Sequence, residues 1–174
     1  MRKHVVLIGL RASGKSTLGA ALAARLGVGF VDLDDRTARE LGFEAAGDAF
    51  RAAGEPAFRD AESRALRAAC EGPPSVIALG GGTPTAPGAA AFVGLLREEG
   101  RAVVVHLDPP LATLEARLRE SAGNRPSLTG RGVVEEIEEI ARRRRPLYAA
   151  LADFVLTDEV DADAAVRALG DAVR

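Results

Sequence analysis

Gly9-Leu10-Arg11-Ala12-Ser13-Gly14-Lys15-Ser16-Thr17 is the stretch on which the reading of this sequence turns. It fits the pattern G-x-x-x-x-G-K-[ST] in full. Before it, Val5–Ile8 is a short apolar run suited to a buried parallel strand. After it, Ser16–Leu26 carries Ala and Leu at helical spacing and stops at Gly27. Strand, loop and helix in that order make a cradle for phosphate. Gly9 and Gly14 let the backbone turn its amides inward, and the positive end of the helix adds to their pull on phosphate oxygens. Lys15 places its charge on the outer phosphates, and the Ser16 hydroxyl is a ligand for Mg²⁺. The nucleotide-binding residues are therefore expected at Gly9, Arg11, Ala12, Ser13, Gly14, Lys15, Ser16 and Thr17. Ala12 stands where many such loops carry a third glycine, so the turn has less freedom there.

Working outward, four more short strands are predicted at Gly29–Leu33, Val76–Leu79, Ala102–Leu107 and Phe154–Thr157. Helical spacing fills the intervals. One helix is capped by Asp34 and runs through Leu41, and another covers Glu44–Ala53 and ends at Gly54. A third begins at Pro56 and reaches about Cys70. Ala89–Glu99, Pro110–Glu120, Val133–Arg145 and Ala162–Val173 follow. Alternating strands and helices imply an α/β fold with a parallel sheet covered on both faces. The 174 residues suit a single domain over 1–174. With 23 basic against 25 acidic residues, the charge balance argues against a nucleic-acid partner. No apolar run is long enough to span a membrane. Cys70, the one cysteine, has no internal partner, and the expected setting is the reducing cytoplasm.

The chemistry-bearing residues outside the cradle each admit two readings. Asp32 and Asp34 project to the same face at a strand end, where they would hold Mg²⁺ and activate a hydroxyl. Equally, Asp34 is a helix cap beside solvated neighbours. Gly80-Gly81-Gly82 follows a strand and either lets a substrate approach closely or forms a plain loop. Arg59 is either a ligand or an ordinary surface pair with Glu62, one turn away. In the run Arg142–Arg145 the first two arginines have acids one turn back, at Glu138 and Glu139. Arg144 and Arg145 have none and are free for another task, and Pro146 should break or kink the helix just after them. Arg125 sits in the long polar loop Ser121–Gly132, a lid or a bare surface loop. His4 and His106 look incidental, and Asp108 is expected only to cap the next helix.

Together these strings resemble shikimate kinase, over nearly the whole chain from Val5 to about Thr157. They are GLRASGKST, Asp32-Leu33-Asp34, GEPAFRDAE over Gly54–Glu62, IALGGG from Ile77, Arg125-Pro126, and RRPLY ending at Tyr148. The resemblance implies a P-loop mononucleotide kinase fold, with a five-stranded parallel sheet in the order 2-3-1-4-5. It implies a substrate-binding region at about 34–62 and a lid at about 121–132. The implied reaction is MgATP-dependent phosphorylation of the 3-hydroxyl of shikimate by a cytoplasmic monomer. Asp34 would then be the base and contact the ring hydroxyls. Lys15 and Arg125 would neutralise the phosphates, while Ser16 and Asp32 serve the metal. Arg59 and Arg144 would bind the shikimate carboxylate, with Gly80, Gly81 and Gly82 beside the substrate. Arg117 would stack near adenine. The chain departs from the family pattern at Ala12, at Leu79 before the glycines and at Thr83 after them. A gluconate kinase would have no evident need for the arginine pair. A catalytically silent sensor of the same fold would not need Asp34.

Overall fold

The fold is described from a computed structural model over residues 3–120, 136–157 and 160–173. Five strands, β1 (His4–Ile8), β2 (Gly29–Asp32), β3 (Ser75–Ala78), β4 (Ala102–Leu107) and β5 (Phe154–Leu156), form one parallel sheet in the order β2-β3-β1-β4-β5. The helices are α1 (Lys15–Leu26), α2 (Leu33–Glu40), α3 (Ala46–Cys70), α4 (Ala89–Glu98), α5 (Leu111–Glu120), α6 (Ile137–Leu151) and α7 (Ala162–Leu169). Strand pleating divides the core into two layers. Val6, Ile8, Ile77 and Val104 face one way and pack with Leu66, Leu96, Leu114 and Tyr148. Val5, Leu7, Val76 and Val105 face the other, against Leu18, Leu22 and Leu169. Burial on both faces is why the strands read as continuous apolar runs.

Helix ends match the expected stops, with three corrections. Gly27 closes α1 in the left-handed region at φ 64°. Within α3, Gly54 breaks the helical geometry at φ 78°, ψ 160°, where two separate helices were expected to meet. The cap of α2 is Asp32 rather than Asp34: its carboxylate accepts from the Asp34 amide at 3.1 Å. That places Asp34 in the first turn of the helix, with its carboxylate close over Gly80. Pro146 does not end α6, which runs on to Leu151. A proline costs a helix one N–H bond and crowds the preceding turn, yet the buried side chains of Tyr148 and Leu151 lie beyond it and hold the last turn in the core. Arg97 also supports that end, donating to the carbonyls of Ala150 and Leu151 at 3.1 and 2.9 Å. Asp108 is not a helix cap. It accepts from Arg145 at 2.8 Å, so Arg145 is paired and ties α6 to the end of β4. Among the described residues no helix is long and apolar enough to cross a membrane.

Both histidines are buried, at 5% and 2% exposure for His4 and His106. The Ser75 amide donates to Nδ1 of His4 at 3.3 Å, which joins β1 to β3. Burial lowers the pKa of each below the ordinary 6.5; for His106 the nearby Asp108 opposes the shift, and Arg145 and Lys15 reinforce it. The folded protein therefore holds both rings neutral at pH values where the unfolded chain protonates them. Their contribution to stability is present above about 6.5 and is lost as pH falls. Each costs up to about 1.4 kcal/mol per pH unit below its unfolded pKa. The urea midpoint should accordingly fall between pH 7.5 and pH 5.5, and less so for His4→Gln. A midpoint that rises over that interval contradicts this reading.

Candidate active site

Four strand ends deliver the site, as a parallel sheet does at its carboxyl edge. The phosphate loop follows β1, Asp32 closes β2, the glycine triplet follows β3 and Asp108 follows β4. The loop takes its shape from three unusual backbone positions. Gly9 lies at φ 146°, and a Cβ there would collide with the Leu107 carbonyl of β4. Gly14 opens α1 at φ 94°. Between them, Ala12 at φ 62° is the one non-glycine residue of positive φ among the described residues.

Lys15, 8% exposed, lies along the floor of the loop. Its ammonium donates to the carbonyls of Gly9 and Leu10 at 3.0 and 2.7 Å and to Ser13 Oγ at 3.3 Å. From α5, Arg117 reaches the same loop and donates to the Ala12 carbonyl at 3.1 Å. Ser16 Oγ donates to Asp32 Oδ2 at 2.5 Å, so a hydroxyl and a carboxylate stand together at the mouth of the cradle. Oxygen donors of this kind suit Mg²⁺, which prefers one or two protein oxygens completed by water and phosphate.

The triplet is where three elements meet. A Cβ on Gly80 would overlap the Asp34 carboxylate, and one on Gly82 would overlap the Arg59 guanidinium. A Cβ on Gly81 would press on the Arg11 amide at 3.0 Å. The Gly81 carbonyl accepts from Arg144 at 2.8 Å and from the Tyr148 hydroxyl at 2.5 Å. Arg59 does pair with Glu62, at 2.5 Å, but this is no surface pair: the two side chains are 12% and 1% exposed. Burial pushes the Glu62 carboxyl up, against the pull of Arg59 and of Thr83, whose hydroxyl donates to it at 2.6 Å. For Arg59, burial disfavours the charge, but Glu62 and then Glu55 outweigh it and the pKa is raised. A buried carboxylate held by two donors thus fixes a guanidinium beside the cleft.

These groups line one cleft of about 690 Å³, a size suited to a small metabolite with a nucleotide. Arg11 to Thr17, Asp32, Asp34, Arg59, Gly81, Gly82, Arg117 and Arg144 all line it. Gly9 and Gly80 are not among its lining residues, while Arg125 and the rest of the 121–132 segment fall outside the described residues. Sequence reasoning missed Glu62 as part of the site, along with Phe50 and Phe58, whose rings stand 5.8 and 5.9 Å from the Arg59 guanidinium carbon. Their spacing along α3 carried a signal, since Phe58, Glu62 and Leu66 share one helical face; its burial is a tertiary fact.

The comparisons agree with this geometry. The sequence profile of the shikimate kinase family matches residues 11–173. This chain belongs to the shikimate kinase family. A shikimate kinase of Nitratidesulfovibrio vulgaris is 46% identical over 155 residues, covering 88% of this chain and 85% of the relative. Shikimate kinase 2 of Dickeya chrysanthemi is 39% identical, with 90% and 87% covered. The structure of shikimate kinase from Acinetobacter baumannii in complex with shikimate superposes with a TM-score of 0.82 at 27% identity, over 95% of this chain and 89% of that one. The family's enzymes are ATP-dependent kinases, and the P-loop kinase sheet order is the one found here.

The loop geometry carries its own test. An alanine in the left-handed region costs about 1–2 kcal/mol, and glycine's extra freedom in the unfolded chain offsets roughly half of that. Ala12→Gly should leave the urea midpoint unchanged or raise stability by up to about 1 kcal/mol. Ala21→Gly, at an exposed position within α1, should instead cost about 1 kcal/mol. Equal losses from both would show that Ala12 is not strained.

Proposed function

We infer that this cleft transfers the γ-phosphoryl group of MgATP to the 3-hydroxyl of shikimate, giving shikimate 3-phosphate and ADP. The observation that carries the reading is the convergence on the glycine triplet of one carboxylate, Asp34, and two guanidiniums, Arg59 and Arg144, in the cleft that the phosphate loop also lines. Two arginines on one side suit a carboxylate, because each offers a planar fork of donors. A carboxylate near the phosphates suits a hydroxyl that must lose its proton. Both functions in a single cleft fit a small polyhydroxy acid.

Phosphoryl transfer depends on positioning and charge neutralisation more than on covalent chemistry. In this proposal the loop amides and Lys15 hold the β- and γ-phosphates, with Arg117 against the loop. Arg125, from the segment not described, adds charge on the phosphates. Arg59 and Arg144 clamp the shikimate carboxylate and so turn the ring toward Asp34. Asp34 accepts the 3-hydroxyl proton as the oxygen attacks. Glu62 and Thr83 keep Arg59 in place. Ser16 directly, and Asp32 through water, would hold Mg²⁺, which when bound supplies further positive charge on the phosphates.

A coupled ADP-release assay with shikimate, gluconate or no acceptor tests the assignment. Shikimate alone should give turnover well above the acceptor-free rate. Asp34→Asn should lower kcat by about 10²–10⁴-fold, the usual worth of a positioned base. Turnover that is indifferent to the acceptor overturns the substrate assignment. A loss below about tenfold in Asp34→Asn moves the base elsewhere.

A further inference from the structure

Tyr148 takes no part in the mechanism above, yet its hydroxyl is aimed at the heart of the site. The side chain is 0% exposed and stands one turn after Arg144 on α6. The hydroxyl donates to the Gly81 carbonyl at 2.5 Å. Arg144 Nη1 donates to the same carbonyl at 2.8 Å. Guanidinium and phenol therefore meet on one peptide carbonyl. Behind it, the Tyr148 ring is held edge-on against His106 of β4, with centroids 5.2 Å apart. Burial pushes the phenol pKa up to about 12, so the hydroxyl keeps its proton for Gly81 throughout the neutral range.

An arginine on a flexible stem is a poor clamp unless something fixes its rotation. Its five N–H donors lie in one plane, so holding one edge of that plane sets where the others point. Here the Gly81 carbonyl holds one edge and the Tyr148 hydroxyl holds that carbonyl in place, while Arg144 also lines the cleft. We propose that Tyr148 is a positioning residue that orients the Arg144 fork toward the substrate carboxylate. The proposal rests on the reading of Arg144 as a carboxylate ligand.

Tyr148→Phe isolates this role. The ring keeps its packing against His106, and the Gly81 carbonyl keeps Arg144 as a donor, so no buried acceptor is orphaned. Tyr148→Phe releases the carbonyl that anchors Arg144, and with one neutral hydrogen bond lost the KM for shikimate should rise roughly two- to tenfold. The KM for ATP and the melting temperature should stay near wild type. Shikimate methyl ester, which lacks the charge, should be used about equally poorly by Tyr148→Phe and by the wild type. An unchanged shikimate KM overturns the proposal. So does a joint rise in both KM values with a lowered melting temperature, which marks a packing role. Arg144→Ala run in parallel separates the two levels: if it too leaves the shikimate KM unchanged, the carboxylate reading itself has failed.

Discussion

The Arg59 guanidinium lies so close to the Cα of Gly82 that even a methyl group would not fit between them. Most of the site follows from that approach. The triplet leaves β3 at the carboxyl edge of the sheet, where its bare backbone lets side chains from three other elements come close to it. Asp34 arrives from α2 over Gly80, Arg59 from α3 over Gly82, and Arg144 from α6 onto the Gly81 carbonyl. A side chain at Gly80 would displace the Asp34 carboxylate, and one at Gly82 the Arg59 guanidinium.

Charge explains why the crowd is stable. Burying an arginine is costly unless its charge is matched and its donors are used. Arg59 is matched by Glu62, which is itself held by Thr83. The pair leaves the guanidinium charged and fixed on the side facing the cleft. On the other side, Lys15 is held by carbonyls of its own loop, so a cation waits where phosphate would bind. Cations thus line the cleft from both the phosphate loop and the glycine triplet, and Asp34 lines it too. This arrangement suits a reaction whose donor and acceptor are both anionic, where positioning depends on opposing charges at fixed points.

Much of this was legible in the sequence, and the parts that were not share a cause. The phosphate loop, the strand ends and the glycine triplet announce themselves through local pattern, because their geometry is set by neighbours in the chain. Ala12 was readable as a tight position, and it sits at positive φ. Glu62 was not readable as anything beyond a partner one turn from Arg59, since spacing gives the pairing but not the burial. Asp108 and Arg145 are 37 residues apart, and their bond depends on how α6 docks against β4. Pro146 looked like a stop because local rules say so; burial of Tyr148 and Leu151 beyond it overrides them. Thr83 appeared as a departure from the family pattern, and only the fold shows its hydroxyl on Glu62.

The central claim is that the bare Cα of Gly82 is what admits Arg59 to the substrate side of the cleft. Gly82 has φ −105° and ψ −13°, a conformation open to any residue, so Gly82→Ala alters the space and not the backbone preference. Calorimetric titration of this variant with shikimate and, separately, with ATP measures the consequence. Displacing one partner of a buried charge contact costs on the order of 2–5 kcal/mol, so shikimate affinity should fall at least about thirtyfold while ATP affinity stays within about twofold. Wild-type shikimate affinity in Gly82→Ala would contradict the account.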